Sequence, residues 1–311
     1  MFSGDAGAYK VLISKGEWVD GARDGRVVPY KIYYPDLAVG EQMPVVLWSH
    51  GFGGSRDGAA FISRYLASHG YHIVHLTHIG TDTSLWEGKP GHPWDILRKA
   101  KVSRDVTLLR FTDIEFALDE LRGHEVAGQM NFEQIGMSGH SFGALSTQVA
   151  LGQRFPNEAE AYQSFAVPAI KAGIAYSPVP IDHLGPDDVE VVSPAEIYGG
   201  IDRPVLMMTG TADSSPIGGA PYTHRFTVFD YATSSDKYFL VKAGGDHMVY
   251  NGTRGKLDKN SNRERHEEII KVKSLAFWEA FLKDDVAAQA WLAVGADYLG
   301  EDGELYVGSR D

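Results

Sequence analysis

The chain contains no cysteine, which excludes disulfides, thiolate nucleophiles and cysteine-based zinc sites. It has no run of 18 apolar residues, and residues 1–7 lack the charged stretch followed by an apolar run that a secretory leader needs. The expectation is a soluble protein with no membrane span. Its compartment stays open between the cytoplasm and, if a leader has been removed, the periplasm or exterior. Positive charge is in deficit: 29 Lys and Arg stand against 41 Asp and Glu, a net charge of −12. That balance repels polyanions, and no basic stripe is interleaved with aromatics, so no nucleic acid is expected as a partner. Neutral or cationic small molecules are easier to accept.

Several signatures are missing as well. There is no G-x-x-x-x-G-K-[ST] and no G-x-G-x-x-G opening a helix. His266-Glu-Glu-Ile-Ile puts isoleucine where a zinc-binding H-E-x-x-H needs its second histidine. His72, His75 and His78 fall in a strand-like run, where 72 and 78 share a face about 20 Å apart and 75 points away, a poor ligand set. Asn251-Gly-Thr matches a glycosylation sequon, a weak three-residue signal. No metal and no cofactor is expected.

What is present reads as an ordinary globular chain: 311 residues, 43% hydrophobic and 23% charged. Residues 9–14 and 27–34 read as an antiparallel opening hairpin. Short apolar runs follow at 44–50, 71–77, 132–137, 172–176, 204–208 and 238–242, the last strand in this reading. Helical spacing appears between them, at Phe61, Ile62, Tyr65 and Leu66, at Val102, Val106, Leu109, Ile114, Leu118 and Leu121, and later at Ile269, Ile270, Phe277, Trp278 and Phe281. Residues 285–299 read as a short packed helix. Alternating strands and helices imply an α/β fold, a mostly parallel central sheet of about eight strands with helices on both faces. One domain is expected over 1–311, with loop insertions near 81–100 and 177–201.

The segment around Ser141 concentrates the chemistry. An apolar strand-like run (Phe132, Ile135, Met137) breaks at Gly139, passes Ser141 and becomes helix-like after Gly143. This is G-x-S-x-G set between a strand and a helix, where a tight turn strains the serine backbone and only glycine fits on either side. The Phe142 N–H then opens a helix, where the dipole favours negative charge, and supplies half of an oxyanion hole. The second donor is expected from His50-Gly51-Phe52-Gly53-Gly54 after the 44–50 strand, through the Phe52 N–H.

A serine hydroxyl needs a base within hydrogen-bond reach and a third group to orient that base. In this kind of fold the chain order is serine, acid, histidine. His247 closes a glycine-rich turn after the 238–242 strand and is the expected base. His183, His224 and His266 are less well placed. Asp213, after the 204–208 strand, is the expected acid, with Asp182 after the preceding strand as the runner-up. Asp246 adjoins His247 and is read as a loop residue. Trp86 and Trp94, in the 81–100 loop, are candidates to line the substrate pocket, or simply to pack.

With these residues placed, the chain resembles the dienelactone-hydrolase-like group of α/β-hydrolases, and within it the platelet-activating-factor acetylhydrolase-like serine esterases. The resemblance rests on Trp48-Ser-His-Gly-Phe-Gly-Gly, Leu66-Ala-Ser-His-Gly-Tyr and Gly139-His-Ser-Phe-Gly. It covers roughly residues 27–281, with 177–201 and 251–262 matching poorly. It implies Ser141 as nucleophile, Phe52 and Phe142 as oxyanion donors and His247 as base. Members differ in whether the acid follows the sixth or the seventh strand, which keeps Asp182 open. True dienelactone hydrolases use a cysteine nucleophile, and this chain has none. The expected function is a serine carboxylesterase acting on small or short-chain acyl esters through an acyl-enzyme. The alternatives are acyl transfer by the same residues and a non-catalytic binding protein of the same fold. Substrate is not given by fold, and oligomeric state is left open.

Overall fold

The computed structural model describes residues 2–156, 162–181, 193–252 and 260–310. The chain opens with strands β1 (Val11–Asp20) and β2 (Arg26–Pro35), joined by a turn in which Asp24 and Gly25 adopt positive φ. Strand β3 (Met43–Ser49), helix α1 (Ala60–Ser68) and strand β4 (His72–Leu76) follow. A single-turn helix α2 (Pro93–Leu97) leads to the long helix α3 (Arg104–Leu121), capped by the Ser103 hydroxyl. Strand β5 (Met130–His140) runs directly into helix α4 (Phe142–Leu151). Next come the small hairpin β6 (Arg154–Pro156) and β7 (Tyr162–Ser164), strand β8 (Ile170–Tyr176), helix α5 (Pro194–Tyr198) and strand β9 (Val205–Ala212). Helix α6 (Phe226–Tyr231), strand β10 (Lys237–Asp246), helix α7 (Arg263–Leu282), helices α8 (Val286–Ala293) and α9 (Ala296–Leu299), and strand β11 (Gly303–Val307) complete the chain.

Nine strands form one sheet in the order β1-β2-β4-β3-β5-β8-β9-β10-β11. The pairings from β4 through β10 are parallel, and those of β1 with β2, β2 with β4 and β10 with β11 are antiparallel. The fold is therefore mixed α/β with a mostly parallel sheet. Two cores lie on its two faces, as expected where central strands read as continuous apolar runs. Along β3, Val45 and Leu47 point to the face covered by α3, α4 and α6, while Val46 and Trp48 point to the face covered by α1, α7 and α8.

Three details depart from the sequence reading. The sheet has nine strands rather than about eight, because the 238–242 strand is not the last: β11 pairs with β10, Val307 opposite Tyr238. The 81–100 segment is not wholly loop, since Pro93 opens α2 and the His92 ring caps the Trp94 N–H. One turn is too short to leave a period in the sequence. The hydrogen bonds of β1 extend to Asp20, beyond the 9–14 run, because Trp18 packs on Tyr30 across the pair.

Candidate active site

The register of the central strands places the chemistry at one end of the sheet. Ser49 pairs with Gly139, and His140 pairs with Tyr176, so the loop after β3 and the turn after β5 lie side by side. Ser141 sits in that turn at φ 55° and ψ −117°, a conformation that non-glycine residues rarely adopt, held by Ser141 N–H donating to Tyr176 O at 2.9 Å. The flanking glycines are sterically required. A Cβ on Gly139 would lie 2.3 Å from Gly143 O, and one on Gly143 would lie 1.9 Å from Ser49 O.

Asp213 follows β9 and His247 follows β10, where the register shifts between Lys242 and Asp246. His247 Nδ1 lies 2.7 Å from Asp213 Oδ1. Asp213 also accepts from Arg225 Nη2 at 2.9 Å, Ser177 Oγ at 2.6 Å and Thr209 Oγ1 at 2.8 Å. Burial alone would raise this carboxyl, but the charge and hydrogen bond of His247, followed by Arg225 and Ser177, outweigh it and hold the pKa below the ordinary value. An ionised Asp213 can only accept, so the shared proton sits on His247 Nδ1. His140 is buried with its ring 4.6 Å from that of His247. Burial first, then His247, pushes His140 well below the usual histidine range, so it stays neutral beside His247.

The glycine loop after β3 is fixed by His50, whose Nε2 accepts from His78 N–H at 3.0 Å, leaving Nδ1–H to donate to Gly51 O at 2.7 Å. Gly53, at positive φ, donates to Thr81 O at 2.8 Å. Among the described residues, neither the Phe52 nor the Phe142 N–H donates a hydrogen bond to another protein group. Their rings lie 6.1 Å apart.

Ser141, His247, Phe52 and Ile217 line two adjoining cavities. The larger, about 510 Å³, is walled mainly by apolar groups, among them Phe142, Leu145, Phe155 and Val179. The smaller, about 230 Å³, is walled by Trp86, Trp94, Leu97, Met248 and Asn251. Trp86 both packs and lines: its Nε1–H donates to Gly53 O at 2.7 Å, so it also braces the loop that carries Phe52.

Ser141, Asp213, His247, Phe52, Phe142, Trp86 and Trp94 are thus brought together. Asp182 and His183 lie outside the described residues. His224 lines the larger cavity, and His266 contacts Asn260 and Ala243 O away from it. Asp246 accepts from Met248 N–H and Asn260 rather than reaching the imidazole. Sequence reasoning missed Arg225, Ser177 and Thr209 as partners of Asp213. Only Thr209, four residues before Asp213, left a local signal. Among the described residues no group of three His, Asp or Glu is placed to hold a metal, and no helix is long and apolar enough to cross a membrane. Neither protein-family models nor curated proteins match the chain.

Proposed function

We propose that the protein is a serine carboxylesterase with an α/β-hydrolase fold. The observation that carries this reading is Ser141, strained at the strand–helix turn, sharing a cavity with a His247 whose Nδ1 is bound to an ionised Asp213. His247 Nε2 takes the Ser141 proton, and the alkoxide attacks the ester carbonyl. The oxyanion forms at the Phe52 and Phe142 N–H groups, which have no acceptor among the described residues, and the turn after β5 aims the helix dipole at it. His247 then protonates the departing alcohol, and water activated by the same ring releases the acid. No step calls on a metal or cofactor.

The two cavities divide the ester. The larger wall, apolar over most of its surface, suits a hydrocarbon substituent longer than acetate, and the Trp86 and Trp94 side suits a compact or flat one. The test is hydrolysis of p-nitrophenyl acetate, butyrate and octanoate by the wild type, Ser141→Ala and His247→Ala. Loss of turnover in both variants, with unchanged circular dichroism, is expected. Wild-type rates in either variant would remove the assignment. Addition of butanol or an amine, with the product identified, separates hydrolysis from acyl transfer.

A further inference from the structure

Beneath the site lies a buried polar cluster that the mechanism above does not use. Arg110, on α3, is fully buried, and each of its hydrogen bonds goes to a neutral acceptor. Its Nη2 donates to Ser49 Oγ at 2.9 Å and to His50 O. Its Nη1 donates to Thr81 Oγ1 at 2.8 Å, and its Nε donates to Ser146 Oγ at 2.8 Å. The guanidinium carbon stands 4.6 Å from the centre of the Phe142 ring. Burying a cation without a carboxylate on it is costly, so a compensating role is called for.

The neighbours of Arg110 form a directional chain. Asp113 is clamped by Arg26 at 2.7 Å and Arg23 at 2.9 Å. Its Oδ2 lies 3.0 Å from His78 Nδ1, and His78 Nε2 lies 3.0 Å from Ser49 Oγ. Asp113, His78 and Ser49 therefore repeat the acid, imidazole, hydroxyl order of a triad. All three are buried away from both cavities, and the Ser49 oxygen already accepts from Arg110, so this chain orients groups and attacks nothing. Burial first, then the Arg110 charge, pushes His78 down to about 4, which keeps that imidazole neutral and able to accept from Ser49.

We infer that Arg110 is a positioning residue for the oxyanion hole, holding the segments that carry the Phe52 and Phe142 N–H groups at a fixed separation. This rests on the serine-esterase reading. Two of its bonds reach the Phe52 side: His50 O lies two residues before Phe52, and Thr81 accepts from the Gly53 N–H with its own carbonyl. Two more reach the Phe142 side: Ser146 Oγ, which accepts from Arg110, donates to Phe142 O at 3.2 Å, and the Phe142 ring lies over the guanidinium. Burial lowers its pKa to about 9, so it remains a cation at neutral pH.

The experiment compares Arg110→Met and Arg110→Lys with the wild type, measuring kcat and KM for p-nitrophenyl butyrate and inhibition by phenylboronic acid, which forms a tetrahedral adduct with an active serine. Arg110→Met is expected to lower kcat roughly ten- to a hundredfold, somewhat less than removing a donor outright, with KM little changed and boronate affinity falling in parallel. Arg110→Lys should recover part of both. A role confined to stability would instead lower the thermal midpoint and leave kcat intact below it, and that result overturns the inference. If Arg110→Met does not fold, Thr81→Val and Ser146→Ala each remove one anchor while keeping the guanidinium, and wild-type kcat in both is equally fatal. A wild type whose hydrolysis does not depend on Ser141 sinks the esterase reading and this inference together. An active wild type with an equally active Arg110→Met sinks this inference alone.

Discussion

At the scale of single residues, the proposed esterase mechanism makes Asp213 decide whether the imidazole can act. Its two oxygens are saturated by His247, Arg225, Ser177 and Thr209. Asp213→Asn keeps the volume but replaces a pure acceptor with a group that also donates, so His247 Nδ1 loses its partner or turns to the wrong tautomer. The expected outcome is a fall in kcat of up to about 10⁴-fold with substrate binding retained, while Asp182→Asn costs little. Steady-state kinetics of the two variants decide it. A crippled Asp182→Asn beside a nearly normal Asp213→Asn would move the acid one strand earlier. The residues that converge here were legible because each follows a strand: Ser141 in its glycine turn, His247 after Gly244 and Gly245, and Asp213 after Gly210. Arg225 was not legible. It meets Asp213 through a loop and a helical turn, and nothing in its neighbouring residues marks a cation buried against a carboxylate.

At the scale of elements, the close approach of α4 to β3 sets the site. Gly143, in the first turn of α4, lies against the carbonyl of Ser49, so an added Cβ would stand 1.9 Å from that oxygen. Gly143→Ala must part the two elements and shift Phe142 and the loop of Phe52 relative to each other. It is expected to lose about 1–3 kcal/mol of stability, as overpacked sites do, and most of the proposed esterase activity. Gly128→Ala, where a Cβ meets nothing within 4 Å, is the control and should stay within about 0.5 kcal/mol. Urea denaturation and a butyrate assay measure both, and a Gly143→Ala variant as stable and active as wild type would contradict the steric argument. Most elements could be read from period and punctuation, because their apolar residues face one core or two. Strand β11 escaped because Gly303-Glu-Leu-Tyr-Val follows a helical tail and pairs at an edge, where half-exposed residues give a weak pattern. Helix α2 escaped because a single turn has no period to detect.

At the scale of the whole molecule, burial shifts the protonation of several interior histidines, lysines and tyrosines, and together they shape how stability varies with pH. Burial pushes His72 and His78 down to about 4 and His75 to about 3. The unfolded chain binds protons near pH 6.5 that these folded imidazoles refuse, so stability falls as pH drops below 6.5. On the alkaline side, burial lowers Lys242 from 10.5 to about 7, Asp213 and Asp246 opposing it, and lowers Lys273 to about 8. Lys242 Nζ donates to Thr209 O at 3.1 Å and contacts the Tyr250 hydroxyl, and Lys273 Nζ donates to Gly295 O at 2.6 Å. Between those folded values and 10.5 the unfolded chain carries protons the folded chain has released. Stability therefore rises with pH in that window, by at most about 1.4 kcal/mol per unit for each lysine. Above pH 10 the sign reverses, because burial first raises Tyr65, Tyr71, Tyr176 and Tyr250 above their ordinary value and the unfolded tyrosines ionise before the folded ones, which outweighs Arg110, whose lowered value alone would prolong the climb. Greatest stability is thus expected near pH 9–10, above the usual range of about 5–8. Urea denaturation at pH 5, 7, 9 and 10.5 should trace a curve that climbs through the first three and turns down at the last. Lys242→Met, which removes one titrating group, should flatten the climb between 7 and 9. A wild-type curve that is level or falling from pH 7 to 9 would show that the buried lysines titrate near their ordinary values.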